Sequence, residues 1–474
     1  MPLYLRYLGA EAFGLVGVHI MLQAWMSVLD MGLTPALMRE MSRFRAGTLL
    51  AKEAAVRLRT LEVVLGTLAI VVVALLWVGS GWVGGIWLSA SELPETVLAH
   101  CITLIGLAVA LRWLTGLHRA VLAGLERQDW GNGLSAGFAT LRFAGVLPLL
   151  IFISTSPEHF FVFQAGVGAL ELFAFATIVH RLVPGRVDIR PDWRALAAML
   201  PMVGSMSILI VIWVVVTQID KLILSGLLPL TEYGYFTLAI MAASGVLVLV
   251  PPLNQVIQPR LTILAERGDE AALVELYRLS SQLAVIAFVG LGGGLSFFAE
   301  PILQIWSGSH EVAQAAAPVL FWYGLANALV GILVLPFMLQ FAKGKLRLHI
   351  LGNLISLVAL VPALIWAASY WGAVGAGRVF FIANLLYLLL WVPVVHRCFL
   401  PALTWRWSLR DTLPIGIPML GCLVAASWTM PATLSDLASL LWIGLGTILA
   451  VAVGVALGDH SRSLAVRAFS WGRK

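Results

Sequence analysis

The chain has 474 residues, of which 60% are hydrophobic and only 11% are charged. A soluble protein carries about a quarter charged residues, so this composition excludes a soluble protein and requires a lipid bilayer around most of the chain. The formal net charge of +6 could suit a nucleic-acid-binding protein, but the positions of the basic residues argue against nucleic acid as a partner.

Apolar segments long enough to cross a bilayer, about 20 residues each, recur along the whole chain. They predict an all-α membrane protein with about thirteen transmembrane helices. The segments lie at roughly 12–37, 61–88, 97–117, 131–153, 159–180, 199–224, 233–256, 279–305, 315–341, 348–370, 375–396, 413–430 and 437–457.

The loops between these segments alternate in charge. All but five of the 30 Lys and Arg residues lie in one set of loops, at 39–59, 119–127, 181–194, 260–278, 343–347, 397–410 and 462–474. The opposite loops, at 89–96, 154–158, 225–232, 307–314 and 430–436, contain no Lys or Arg. Cytoplasmic loops are enriched in basic residues, so the basic set and the C-terminus are predicted to be cytoplasmic. The basic charge therefore reflects membrane topology.

The sequence also contains a weak internal repeat at an offset of about 220 residues. LGAEAFGL (8–15) aligns with LPLTEYGY (228–235), and the alignment pairs Gly14 with Gly234, Arg39 with Arg260, and Arg57 with Arg278. Two parallel halves are a common transporter plan, and the repeat predicts an N-terminal lobe at 1–194 and a C-terminal lobe at 195–400. Two extra transmembrane helices and a basic cytoplasmic tail follow at 401–474.

The predicted helix at 199–224 has no counterpart in the first half, because its repeat partner maps before Met1. We therefore expect two six-helix lobes, of which the first lacks its first helix in this chain. The expectation is that codons upstream of Met1 encode about 20 apolar residues in frame.

Charged residues inside helices, or at their cytoplasmic ends, are the candidates for function. The substrate-binding candidates are Arg39, Arg112, Arg142, Lys221 and Arg260. A planar guanidinium binds two phosphate oxygens at once, so these residues are predicted to line a cavity for a phosphate-bearing anion. For Arg39 and Arg260, positive-inside anchoring is the alternative interpretation. For the adjacent pair Asp220–Lys221, the alternative is an ion pair at a helix end.

Three acids, Asp30, Glu171 and Asp220, are the candidates for ion coupling. Acids at membrane depth bind H⁺ or Na⁺, or neutralise a neighbouring arginine, and the sequence leaves both roles open.

Motifs for other chemistry are absent from the sequence. It has no G-x-x-x-x-G-K-[ST] and no H-E-x-x-H, and its nine histidines are scattered, mostly at helix boundaries. No catalytic residue, cofactor or metal site is expected. An integral-membrane enzyme would show a long loop or a catalytic His/Asp cluster, so the sequence predicts that the protein is not an enzyme.

The segments YLRYLGAEAFGL, LDMGLTPALMR, GLERQD and IDKLILSGLLPLTEYGYFTLA resemble bacterial polysaccharide flippases. These are the O-antigen and lipopolysaccharide-biosynthesis exporters of the multidrug/oligosaccharidyl-lipid/polysaccharide superfamily. That family usually has a helix before the position of Pro2, which this sequence lacks. The resemblance implies a multi-pass protein of the bacterial inner membrane that flips an undecaprenyl-diphosphate-linked oligosaccharide across that membrane.

The partners that the resemblance implies are the lipid-linked oligosaccharide, membrane lipids, a coupling H⁺ or Na⁺, and polysaccharide polymerase and chain-length proteins. Two alternatives remain open, a lipid II flippase and a cation-coupled multidrug exporter of the same fold. The identity of the glycan and that of the coupling ion are left open as well.

Overall fold

The computed structural model describes residues 2–30, 32–184, 192–431 and 434–463, and within these ranges the regular structure is helical. The helices are α1 (Pro2–Leu8), α2 (Ala10–Leu29), α3 (Leu33–Arg45), α4 (Ala51–Trp82), α5 (Glu95–Gly124), α6 (Gln128–Ala144), α7 (Val146–Phe152), α8 (Pro157–Leu182) and α9 (Trp193–Leu227), followed by α10 (Leu230–Ser244), α11 (Val250–Arg267), α12 (Glu270–Phe297), α13 (Ala299–Ser307), α14 (His310–Ala342), α15 (Arg347–Leu386), α16 (Val392–Phe399), α17 (Leu413–Trp428) and α18 (Asp436–Leu457). The predicted all-α class is confirmed.

Twelve helical stretches among the described residues are long and apolar enough to cross a membrane. The stretch Arg347–Phe399 has 53 residues, or roughly 80 Å at 1.5 Å per residue, which is more than twice the thickness of the hydrocarbon core. Its backbone breaks at Trp371 and Gly372, where Gly372 has φ 55°. The stretch therefore provides two crossings, and the predicted set of about thirteen transmembrane helices is confirmed. The C-terminal tail from residue 464 lies outside the described residues.

Contacts between Cα atoms divide the chain into two compact units, Leu3–Gly234 and Tyr235–Lys474. Helix α9, which the repeat assigned to the second lobe, packs against α2, α3 and α4 of the first unit. The division into lobes at residues 194 and 400 stays a prediction. Its first boundary lies close to residues 185–191, which are outside the described ranges.

The two glycines that the repeat aligns, Gly14 and Gly234, lie against each other within the first unit. A Cβ atom built on Gly14 would overlap the Leu230 carbonyl oxygen, and one built on Gly234 would overlap the Ala10 carbonyl oxygen. Residues 10 and 14 are repeat partners of 230 and 234, so the contact is reciprocal, as expected at a local two-fold axis. Glycine is required here because the backbones approach too closely for any side chain.

A buried carboxylate fixes one loop of the first unit. Glu11 on α2 is 2% exposed, and its carboxylate accepts hydrogen bonds from the backbone N–H groups of Ser91, Glu92 and Leu93. A charge-assisted acceptor of this kind satisfies three backbone donors that would otherwise be unpaired. Glu11 therefore has a structural role, in holding the loop between α4 and α5 onto α2.

In the second unit, the two C-terminal helices dock onto a glycine-rich face of α12. Gly290 lies close to Val451 of α18, Gly293 close to Leu423 of α17, and Gly294 close to Thr447. Small residues allow helix backbones to approach closely in a membrane, where the hydrophobic effect does not drive helices together.

An ion pair buried beside this face strengthens the docking. Arg278 on α12 donates two hydrogen bonds of 2.9 Å to the carboxylate of Asp411, and the Gln282 side chain donates a third of 2.7 Å. Asp411 is fully buried. The predicted addition of two helices after the second lobe thus corresponds to a well-packed extension of the second unit.

Candidate functional site

The candidate site is a cluster of charged side chains from three helices of the first unit. Glu171 on α8 is 1% exposed, and its two carboxylate oxygens face two different arginines. Arg142 Nη2 of α6 lies 2.5 Å from Glu171 Oε2, and Arg119 Nη2 of α5 lies 3.1 Å from Oε1. The close approach of Gly168 to Leu111 brings α8 against α5 three residues before Glu171.

Arg112, about two helical turns before Arg119 on α5, completes the cluster. It lies close enough to Arg142, Glu171 and Arg119 to interact with each electrostatically. Within the described part of the chain it forms no hydrogen bond and no ion pair. Arg112 is half-buried in the middle of a helix of membrane-spanning length, and a cation at such a depth is costly unless a protein group or a bound ligand neutralises it.

Neighbouring groups add further polar atoms without partners. His19 on α2 lies near Arg112 and Arg142, and its Nδ1 atom is buried without a hydrogen-bond partner among the described residues. The indole N–H of Trp113, the residue after Arg112 on α5, is likewise unpaired among the described residues, but Trp113 packs against the apolar core of the unit. Buried polar groups are normally hydrogen-bonded, so the unpaired Nδ1 of His19 indicates a place for a missing polar partner.

The charge balance gives the cluster its chemical character. Arg112, Arg119 and Arg142 carry three positive charges against the single negative charge of Glu171, because a guanidinium stays protonated in proteins. Arg142 and Glu171 are buried and Arg112 is half-buried, whereas Arg119 is exposed, so the excess positive charge at the buried part of the cluster favours an anion. The arrangement can therefore bind a phosphate or carboxylate group, and its planar arginine forks suit a phosphate best.

The other predicted binding residues lie elsewhere. Arg39 is exposed on α3. Lys221 on α9 donates to the Thr217 carbonyl at 2.7 Å and to Asp220 Oδ1 at 3.0 Å. Arg260 belongs to the second unit, where it lines a shallow groove with Glu275. The structure thus brings Arg112 and Arg142 together, and a single cavity containing all five residues stays a prediction.

The three ion-coupling candidates all have protein partners. Asp30, at the end of α2, accepts hydrogen bonds from the Thr34 hydroxyl at 2.5 Å and the Thr34 backbone N–H at 3.2 Å, and so ties the end of α2 to the first turn of α3. Asp220 is buried and pairs with Lys221. Glu171 pairs with two arginines, an arrangement that fits the neutralising role left open by the sequence. A coupling role for these acids stays a prediction.

Sequence reasoning missed two members of the cluster, Arg119 and His19. The loop pattern places Arg119 among the basic loop residues, although it is seven residues after Arg112 and therefore on the same face of a helix. That spacing was a usable signal. No comparable signal existed for His19, since only the packing of α2 against α5 brings it to the cluster.

Comparison with known proteins shows likeness in structure alone. No protein-family model and no curated protein matches the sequence. The structure is similar to the lipid II flippase MurJ in an inward closed conformation, with a TM-score of 0.69 and 14% identity over 96% of this chain and 98% of that chain.

Two MATE transporters also match. An inward-facing MATE family transporter of the MOP superfamily has a TM-score of 0.68 and 12% identity, covering 84% of this chain and 94% of its own. The Vibrio cholerae MATE transporter VcmN has a TM-score of 0.52 and 15% identity, covering 84% and 96%. The chain therefore has the all-α fold that the flippase and these transporters share.

Proposed function

We propose that this protein is a flippase of the MOP superfamily that moves a diphosphate-linked lipid oligosaccharide across the bacterial inner membrane. The observation that carries the proposal is Arg112, a cation at mid-helix depth beside the Arg142–Glu171 pair, with no acidic partner of its own among the described residues. A diphosphate supplies the charge that this cluster lacks. The fold similarity to a lipid II flippase supports a lipid-linked substrate.

The physical problem of lipid flipping fits this chemistry. A diphosphate must cross about 30 Å of hydrocarbon, and an isolated charge there is expensive. Arginines that replace hydration of the phosphate oxygens lower this barrier, while the polyprenyl chain stays in the lipid. In this account Arg112 and Arg142 bind the diphosphate, and Glu171 holds Arg142 in position through the 2.5 Å contact.

The main alternative is a cation-coupled drug exporter, which the two MATE structures favour. A cationic drug requires an excess of carboxylates in its site. Around Glu171 the excess is positive instead. We therefore place the drug exporter second, and we keep lipid II as an alternative substrate because it too contains a lipid diphosphate.

A reconstituted transport assay separates these functions. The purified protein is placed in liposomes that contain, in separate experiments, a labelled undecaprenyl-diphosphate oligosaccharide, labelled lipid II, or a fluorescent cationic dye. We expect translocation of the oligosaccharide lipid, loss of it in Arg142→Ala, and partial retention in Arg142→Lys. Transport of the dye alone would overturn the proposal, and transport of lipid II alone would change the substrate but keep the class.

A further inference from the structure

A second cluster lies on three helices of the first unit, toward the helix ends that adjoin the basic loops, and its member His118 directly precedes Arg119 on α5. Glu62 of α4, His118 of α5 and His180 of α8 each direct one potential ligand atom to a common point, and these atoms lie within 4.8 Å of one another. His118 Nε2 and His180 Nε2 are both 3.0 Å from Glu62 Oε1. The sequence predicted no metal site, because these residues are far apart along the chain.

The hydrogen bonds of His118 leave one atom unexplained. Its Nδ1 lies 3.0 Å from the Leu114 carbonyl oxygen, and its Nε2 lies 3.0 Å from the Glu62 carboxylate. Both neighbours are acceptors, whereas a neutral imidazole has a single N–H to donate. With the N–H on Nδ1 given to the carbonyl, the lone pair on Nε2 faces an anionic oxygen. Either a second ring proton or a metal cation bound to both atoms satisfies this arrangement, and metal titration distinguishes the two.

We propose that Glu62, His118 and His180 form a binding site for a divalent transition-metal cation of the zinc class. Two imidazoles and one carboxylate, with an open fourth position, are a common zinc ligand set. Zinc–ligand bonds of about 2.0–2.1 Å separate neighbouring ligand atoms by roughly 3.3 Å, close to the 3.0 Å contacts found here.

The surroundings match those of a metal site. A metal-binding histidine usually donates its other N–H to a backbone carbonyl or carboxylate, as His118 does to Leu114. The second oxygen of Glu62 accepts a hydrogen bond of 2.9 Å from Arg59, which fixes the carboxylate. A bound cation would connect α4, α5 and α8 at one end of the unit. This inference is independent of the proposed transport function.

Metal binding is measured on the purified full chain, carrying a tag without histidines and treated with EDTA. Titration with Zn²⁺ is followed by calorimetry and by elemental analysis of the washed protein, and titration with Co²⁺ is followed by its visible absorption. We expect one Zn²⁺ per chain and a tetrahedral Co²⁺ spectrum. Mg²⁺ should not compete, because it prefers an octahedron of oxygens.

Three variants make the test decisive. The double substitution His118→Ala/His180→Ala should weaken Zn²⁺ binding on the order of 100-fold or more, since loss of even an outer hydrogen-bond partner costs 10–100-fold. Glu62→Gln preserves the shape and is the substitute if the double variant does not fold. His100→Ala is the matched control, because His100 pairs with Glu158 at 3.0 Å near the starts of α5 and α8, away from His118 and His180 near their ends. Absence of stoichiometric binding, or equal binding in all variants, would overturn the proposal.

Discussion

Removing the carboxylate of Asp411 should destabilise the second unit strongly. Asp411 is fully buried and accepts three hydrogen bonds, two from Arg278 and one from Gln282. Breaking a buried pair by deleting one partner costs about 3–5 kcal/mol. The Arg278 side chain is 25% exposed, so water partly rehydrates it, and we expect a loss near 3 kcal/mol.

The assay is thermal unfolding of the purified protein in detergent, with Asp411→Ala compared with the wild type. A loss of about 3 kcal/mol lowers the Tm by roughly 6–12 °C in a unit of this size. Arg45→Ala is the control, because the Arg45–Glu126 pair is exposed and worth at most about 1 kcal/mol. The double variant Arg278→Met/Asp411→Leu should recover much of the stability, since no unpaired charge remains. A single variant as stable as the control, or a double variant less stable than Asp411→Ala, would refute the reasoning.

Three further predictions concern packing, charge and topology. Gly234→Ala should reduce the amount of folded protein, because its Cβ overlaps the Ala10 carbonyl, whereas Gly133→Ala, which has open space around it, should not; size-exclusion chromatography of both would decide. Glu171→Gln should weaken transport at least tenfold although Arg142 is retained, since the Arg142 guanidinium loses the carboxylate that positions it. Unchanged transport would show that Glu171 has no positioning role. Reporter fusions after residues 90 and 185 should read periplasm and cytoplasm respectively, and the reverse result would invert the predicted topology.

The number and approximate positions of the transmembrane helices could be predicted from sequence because the bilayer sets their length. The predicted ends were less accurate, since α4 begins at Ala51 and the predicted segment 12–37 breaks between α2 and α3. Even the break near Trp371 was visible as a gap between two apolar segments, and the structure has it at Trp371–Gly372. The repeat pairing of Gly14 with Gly234 was likewise visible, and the two glycines meet in the structure.

The partners of the charged residues could not be predicted in the same way. A helix that is apolar on all sides carries no periodic signal for its rotation, so the sequence shows that Glu171 is in the membrane but not which residue it faces. Close packing through small residues determines that rotation. For this reason the contact of Arg142 with Glu171, 29 residues apart on different helices, and the meeting of Glu62 with His118 became visible only in the structure.

The most direct test of the central claim is binding of a lipid diphosphate to the arginine cluster. Native mass spectrometry of the purified protein would compare an undecaprenyl-diphosphate oligosaccharide with a neutral analogue in the wild type, in Arg112→Gln and in Arg378→Gln. Arg378 is a matched control, because it also lies in a membrane helix and contacts the ring of Trp322. The account predicts that the diphosphate lipid binds in preference to the neutral one, and that Arg112→Gln alone removes this preference. Equal binding of both lipids, or an equal loss in both variants, would contradict it.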